Sequence, residues 1–132
     1  MAELSEQAKA LIDGANLGFL ATVMPDGSPQ VTPVWVDRED GYVRFNTATG
    51  RVKDRNIRRD PRVAISVANR NDPYEAVAVR GRVVDIVEGD EAEKHIDSLS
   101  EKYRGVTPYP WRRPGERRVL VRVEPERVSG RG

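Results

Sequence analysis

The stretch "YVRFNTATGRVKDRNIRRDPRVAISVA", residues 42–68, decides the predicted fold. Its pattern predicts a strand at each end and a short helix between them, within residues 50–60. The residue before a proline avoids the helical region, so Asp60 is expected to end that helix. Parallel pairing requires crossover helices between strands, and only residues 50–60 are expected to supply one. The sheet is therefore predicted to be mostly antiparallel and to close into a small barrel, which removes its edges.

The strand pattern extends over most of the chain. Pro25 presets φ and Gly27 supplies positive φ in a turn between the first two strands. Pro29 and Pro33 cannot donate to a ladder, so one side of the second strand is expected at an edge or a bulge. Gly81 is expected at a bulge or a barrel bend. The predicted fold class is mostly β, a six-stranded antiparallel barrel with helices, whose strands are 17–23, 29–36, 42–47, 62–68, 74–87 and 117–124.

Helices are predicted at the start of the chain and late in it. The first carries an apolar stripe at helical spacing, formed by Leu4, Ala8, Leu11, Ile12 and Ala15. Asp90, with Glu93, is expected to cap the late helix, whose stripe is Ala92, Ile96, Leu99 and Tyr103. The prediction is one domain over residues 1–132, with a proline-rich loop at 104–116 and a frayed tail at 124–132.

Composition and charge exclude several classes of protein. The 132 residues carry a net charge of +1, too balanced for a general nucleic-acid binder. There is no cysteine and one histidine, His95, so the sequence predicts no disulfide and no metal site. No apolar run approaches the length of about 20 residues that spans a bilayer, and the N-terminus lacks a signal pattern. We expect a cytoplasmic protein with no membrane partner, in which His95 lies at the surface or at an interface.

Residues 46–62 form the most cationic part of the chain. The segment contains two acidic residues, Asp54 and Asp60, and six cationic ones, which are Arg51, Lys53, Arg55, Arg58, Arg59 and Arg62. A helix start presents unpaired amides and a positive dipole end, which favour a phosphate or a carboxylate. Arg51 has a forked donor set and Lys53 a compact charge, so the pair suits a phosphate. The residues alone leave three interpretations open: a phosphorylated small molecule, nucleic acid, or a solvated helix.

Four stretches carry a resemblance to a known family: "LGFLATVMPDGSPQVTPVWV", "FNTATGRVKDRNIRRDPRVAISV", "VAVRGRVV" and "RRVLVRVEPERV". They resemble the flavin and deazaflavin oxidoreductases that share the split β-barrel of pyridoxamine 5′-phosphate oxidase, over about residues 4–128. The order "GRVKDRNIRRDPR" after a strand is similar to the subgroup that often uses coenzyme F420. The resemblance implies an FMN-binding type of split β-barrel, and a homodimer with cofactor sites at the subunit interface.

The resemblance also implies where a cofactor would bind. The segment that begins at Asn46 and Thr47 would hold its phosphate, with Arg51 and Lys53 as the ligands. The ring would lie against the strand "QVTPVWV". The residues implied to bind the cofactor are Thr32, Pro33, Val34, Asn46, Thr47, Arg51, Lys53 and Tyr74. Since one phosphate cannot use five cations, the others (Arg55, Arg58 and Arg59) are expected to be solvated or paired with acids.

The chemistry that the resemblance implies is hydride transfer from F420 to an unsaturated organic small molecule. The cofactor carries that chemistry, while the protein orients it and excludes water, and no catalytic residue is assigned. FMN is the alternative cofactor, because it also ends in a phosphorylated chain. An alternative of another class is a non-enzymatic flavin- or haem-binding module. The loop at 104–116, with Trp111, is expected to pack on a partner subunit or to cover a site.

Overall fold

The computed structural model describes residues 1–130, which form three helices and seven strands. The strands make one antiparallel sheet with the order β2-β1-β5-β6-β7-β4-β3. In chain order the elements are α1 (Glu6–Asp13), β1 (Gly18–Val23), β2 (Pro29–Val34), β3 (Val36–Glu39), β4 (Tyr42–Ala48), α2 (Val52–Arg59), β5 (Arg62–Asn69), β6 (Asp72–Glu88), α3 (Asp90–Arg104) and β7 (Arg118–Gly130).

The predicted strand count of six is wrong because residues 29–36 are not one strand. The segment divides at Trp35 into β2 and β3, which lie at opposite edges of the sheet. Only Trp35 separates these edges along the chain, so the sheet must curl until they meet there. The result is an incomplete barrel whose two edge strands join covalently at one corner. Pro29 and Pro33 both lie in edge strand β2, as their missing N–H groups predict.

The two longest strands, β6 and β7, form the back of the barrel. Their pairing shifts register between Arg80 and Gly81, which confirms the predicted bulge. A Cβ at Gly81 would overlap the carbonyl oxygen of Glu124, so this close approach requires glycine. The predicted frayed tail is wrong over residues 124–130, because β7 continues to Gly130 and pairs there with Val77. Residues 131 and 132 lie outside the described part of the chain.

Sequence patterns predict one boundary of each helix, and the structure agrees for α1 and α2 but not for α3. Ser5 caps α1, because its side-chain hydroxyl oxygen accepts a hydrogen bond from the Ala8 amide (3.1 Å). Asp60 follows the last residue of α2, as expected for a residue before proline. For α3 the prediction is wrong, since Gly89 is the N-cap and Asp90 is already inside the helix. Gly89 has a φ of +89°, which glycine adopts without a Cβ penalty.

The core lies inside the curled sheet and is closed by α1. Ala8, Leu11 and Ile12 of that helix are buried against strand residues. Phe45 of β4 is the largest fully buried side chain. Each such aliphatic or aromatic side chain contributes about 1.5–3 kcal/mol when fully buried. The helix therefore holds one side of the barrel together, while α3 packs on β4, β6 and β7.

Candidate functional site

A cavity of about 290 Å³ lies where β4 ends and α2 begins. It is also walled by β2, the middle of α3 and the loop after α3. Six of the eight residues predicted to bind a cofactor line it, and they are Pro33, Val34, Asn46, Thr47, Arg51 and Lys53. The fold therefore brings together residues that the chain separates by up to 20 positions.

Two predicted residues are not part of this cavity wall. Thr32 lies in β2 beside Pro33, half-buried and paired in register with Leu20 of β1. Tyr74, near the start of β6, is 84% exposed and borders a different depression, together with Gln7 and Glu75. Within one chain, Tyr74 does not reach the cavity.

The chain positions its cations by a tight turn into α2. Gly50 has a φ of +86°, which turns the chain from β4 into the helix. The Gly50 amide donates to Oδ2 of Asp54 (2.9 Å), and the other carboxylate oxygen accepts from Arg58 (2.9 Å). Asp54 is buried, so this pairing fixes the helix start from inside. Arg51 and Lys53 are thereby held at the cavity.

Three cations meet at this cavity: Arg51, Lys53 and Arg118. Burial is the main cause that lowers the pKa of Lys53, and the charges of Arg51 and Arg118 lower it further. Within residues 1–130, the Lys53 ammonium makes no hydrogen bond or ion pair. Glu116 is the acid nearest the cluster, at 3.4 Å from Arg51 and 3.1 Å from Arg118. The cavity therefore has an excess of positive charge that favours an anion.

The hydroxyl of Thr47 is the one buried side-chain polar atom without a hydrogen-bond partner among the described residues. Thr47 is 1% exposed and lines the cavity. An unsatisfied buried polar group costs about 1–3 kcal/mol. The side chains present therefore fit a phosphorylated group, which would accept from Thr47 and neutralise the cations.

Arg118, which sequence reasoning missed, is held rigidly beside the predicted residues. It is 4% exposed, and its Nε donates to Oδ1 of Asn46 (2.8 Å). Its guanidinium also lies over the Tyr109 ring, 5.3 Å from the centroid. The amide nitrogen of Asn46 donates to the Ala92 carbonyl (3.0 Å) and contacts Nδ1 of His95 (3.1 Å). The protein therefore already uses the polar atoms of Asn46, which orient Arg118.

His95 is buried inside the single chain at 4% exposure, so the prediction that it lies at the surface or at an interface is wrong. Because the Asn46 amide nitrogen faces Nδ1, that ring nitrogen accepts and Nε2 donates to Asp37 (3.1 Å). Asp37 also accepts two bonds from Arg44, each 2.8 Å long. Burial raises the pKa of Asp37, but the bonds from His95 and Arg44 outweigh burial and lower it. A continuous polar network thus runs from Arg44 to Arg118.

Two aromatic side chains, Trp35 and Tyr109, line the cavity. Trp35 stacks on Tyr103, with the ring centroids 5.4 Å apart and an interplanar angle of 8°. Tyr109 meets Trp35 edge to face at 6.1 Å. The loop that carries Tyr109 is anchored by Arg112, which pairs with Glu93 and Asp97 at 2.9 Å. The cavity therefore combines a cationic end with an apolar, aromatic wall.

The other cations of the basic segment do not line this cavity. Arg58 pairs with Asp54, and Arg59 donates to the Val23 carbonyl (2.8 Å). Arg55 donates to the Gly50 carbonyl. Arg55 and Arg59 are exposed and Arg58 pairs with an acid, so the prediction that these three arginines are solvated or paired with acids is confirmed.

Two wider features of the described chain bear on its function. Within residues 1–130, no group of three or more histidine, cysteine, aspartate or glutamate side chains could hold a metal ion. In the same part of the chain, no helix is both long and apolar enough to cross a membrane.

Comparison with known proteins identifies the family. The model of the pyridoxamine 5′-phosphate oxidase family matches residues 4–132. A solved structure described as an F420 reductase is 37% identical, with a TM-score of 0.81, and the match covers 92% of this chain and 94% of that one. A conserved hypothetical protein from Mycobacterium tuberculosis is 28% identical, with a TM-score of 0.76 and coverage of 98% and 87%.

A more distant match shows the fold alone. General Stress Protein 26 from Bacillus anthracis is 22% identical with a TM-score of 0.71, over 95% of this chain and 91% of that one. The chain belongs to the pyridoxamine 5′-phosphate oxidase family and has its split β-barrel fold. The resemblance inferred from the sequence is thereby confirmed.

Proposed function

We propose that this protein is an oxidoreductase that binds coenzyme F420 and transfers a hydride to an unsaturated organic molecule. The observation that carries the proposal is the cavity, where three cations and an unpartnered hydroxyl lie beside an aromatic wall. A phosphorylated group on a flat ring system matches both ends of such a cavity. The 37% identity to a protein described as an F420 reductase supports F420.

Lys53 and Arg51 would hold the phosphate of the cofactor. Among the described residues, the Lys53 ammonium has no partner and the Arg51 guanidinium pairs with Glu116 alone. Thr47 would donate its hydroxyl, and Arg118 would add a third charge. The ring would lie against Pro33 and Val34, with Thr32 alongside in the same strand.

When bound, F420 supplies the hydride-transfer chemistry, and the residues of this chain supply the environment. Trp35 and Tyr109 would orient the ring by contact with its faces. Leu99 and Ile96 of α3, both buried, exclude water from the inner end of the cavity. Since no aspartate, glutamate or histidine is among the residues that line the cavity, we assign the proton of the reduction to solvent.

We also propose that the protein is a homodimer, with the outer face of β1, β2 and β5 as the interface. Phe19 and Val31 are 47% and 60% exposed on this face. Phe19 pairs in register with Pro33 and Ser66, and Val31 pairs with Ala21. The centre of the face therefore carries no charged side chain. Uncharged apolar patches of this kind mark association sites. A partner there would lie beside Pro33, at the mouth of the cavity, and Tyr74 would need to come from that partner to reach a cofactor.

FMN is the second candidate cofactor, because the same cations and hydroxyl serve any phosphorylated flavin. A non-enzymatic flavin- or haem-binding module is the alternative of another class. These possibilities differ in turnover and in ligand, so one set of assays separates them.

The test uses the purified full-length chain with chemically reduced F420 and with reduced FMN. Each is mixed anaerobically with a quinone or another unsaturated acceptor, and return of the cofactor's visible absorbance is followed. We expect acceptor-dependent oxidation of F420 that is faster than the same mixture without protein. If the protein accelerates oxidation of reduced FMN but not of reduced F420, the cofactor is FMN. Tight binding of either cofactor without faster oxidation would contradict enzymatic function.

A further inference from the structure

A second cavity, of about 450 Å³, adjoins the first. The two share Leu17 and Trp35 as wall residues, so they meet across the same corner of the barrel. The second cavity opens between the end of β5, the C-terminal turn of α3 and the segment before β1. A molecule seated there would reach the cationic cavity beside Leu17 and Trp35.

The lining of the second cavity is apolar with a positive rim. Leu17, Phe19, Pro73 and Tyr103 supply apolar and aromatic surface, and no aspartate or glutamate is among its lining residues. Arg70 and Arg104 line it, and neither side chain forms an ion pair within the described chain. The Arg104 guanidinium stacks over Trp111, 5.6 Å from the ring centroid. The two arginines therefore face this cavity without a carboxylate of their own.

The walls of this cavity are fixed by hydrogen bonds. Tyr103 donates its hydroxyl to the Asn16 carbonyl (2.6 Å), and the Arg70 amide donates to Oδ1 of Asn16 (2.9 Å). Burial raises the pKa of Tyr103 to about 12, so the phenol stays protonated as a donor. Lys102 donates to the carbonyls of Ile12 and Val36, each at 2.6 Å. A ligand would meet a preformed surface rather than a flexible one.

We infer that the second cavity binds the organic substrate, and that this substrate is a carboxylate with a flat, unsaturated, apolar body. The inference rests on the proposed function, since it places the substrate beside the proposed cofactor cavity. The apolar body would contact Trp35 and Leu17, and the carboxylate would pair with Arg70 and Arg104. Arginine suits this role because its planar donor fork matches a carboxylate.

The experiment uses trans-cinnamate as the probe and cinnamamide, its neutral analogue, as the matched control ligand. The ¹⁵N-labelled full-length protein is titrated with each, and the indole N–H signals of its two tryptophans are followed by NMR. We expect cinnamate to shift the Trp35 signal and to bind about fivefold more tightly than cinnamamide, because an exposed charge pair contributes up to about 1 kcal/mol, which corresponds to about fivefold in affinity.

Variants locate the carboxylate. Arg70→Gln and Arg104→Gln should each weaken cinnamate by about fivefold and leave cinnamamide unchanged. Arg82→Gln, an exposed arginine of β6 outside this cavity, is the control and should bind both probes as the parent does. Equal affinity for the two probes, or no loss in either arginine variant, would overturn the inference.

Competition separates a substrate carboxylate from a carboxylate on the cofactor's own tail. We expect cinnamate to bind equally well in the presence of saturating F420 or FMN, because the proposed cofactor fills the other cavity. Displacement by F420 but not by FMN, which has no carboxylate, would assign the arginines to the cofactor tail and overturn the inference. If arginine-dependent cinnamate binding persists while neither cofactor binds, the proposed function fails and the carboxylate site stands.

Discussion

Replacing Lys53 by methionine removes the charge at the cationic cavity while keeping the length and apolar stem of the side chain. A charge-assisted hydrogen bond contributes about 1.5–3 kcal/mol. Since about 1.4 kcal/mol corresponds to tenfold in affinity, Lys53→Met should weaken binding of F420 or FMN by about 10- to 100-fold. Titration of the purified protein, followed by cofactor fluorescence, measures this loss.

The same substitution should stabilise the protein when no ligand is present. Burial, Arg51 and Arg118 lower the pKa of Lys53 below its usual 10.5, so the fold disfavours the charged form. This destabilising effect is fully present below the lowered pKa and is relieved as pH rises toward 10.5. Lys53→Met should therefore raise the melting temperature at neutral pH, and the gain should shrink at alkaline pH. The parent's affinity for a phosphorylated cofactor should fall over the same alkaline range.

The matched control is Lys94→Met, the same change on an exposed position of α3. It should leave both cofactor affinity and its pH dependence unchanged. The reasoning would be refuted if Lys53→Met bound both cofactors as tightly as the parent. It would also be refuted if Lys53→Met lowered the melting temperature, since Lys53 would then have a stabilising partner in the unliganded protein.

Three further substitutions test other parts of the account. Thr47→Val, which replaces an unpartnered hydroxyl by a methyl group, should leave the free energy of unfolding in urea unchanged or higher while it weakens cofactor binding. Gly81→Ala should lower the free energy of unfolding by about 1–3 kcal/mol, as overpacking does, because its Cβ meets the Glu124 carbonyl. Gly81 has no positive φ, so this clash and not backbone strain would cause the loss. Val31→Glu should convert the proposed dimer to monomer in light scattering, and an unchanged mass would exclude this face.

Sequence patterns predict most of the fold because most elements obey local rules. Helix α1, the turn at Gly27 and the bulge at Gly81 all follow from residue type and spacing. The division at Trp35 does not, because no glycine, asparagine or aspartate marks a turn between Pro33 and Val36. Asp37 and Arg44 are oppositely charged and pair across β3 and β4, and this complementarity is the local feature that could have indicated a separate strand β3.

Local sequence pattern predicts the candidate site only where its residues are close in sequence, and Pro33 and Val34 are identified by the family resemblance instead. Asn46, Thr47, Arg51 and Lys53 lie within one strand–helix junction, so a motif identifies them together. Arg118 is 72 positions from the Asn46 that orients it, and His95 is 49 positions away. Such contacts are tertiary, and neither charge nor spacing along the chain indicates them. Arginine is mostly exposed in proteins and histidine is often so, and the sequence does not show that Arg118 and His95 are buried.

The central claim is that the cavity at the junction of β4 and α2 holds the phosphate of a flavin or deazaflavin. Its most direct test is an equilibrium titration of the purified wild-type chain with F420 and with FMN, repeated in the presence of inorganic phosphate. The account predicts saturable binding of F420 at one equivalent per chain, weakened competitively by phosphate and weakened about 10- to 100-fold by Lys53→Met. Absence of saturable binding for both cofactors, or binding that is indifferent to phosphate and to Lys53, would contradict it.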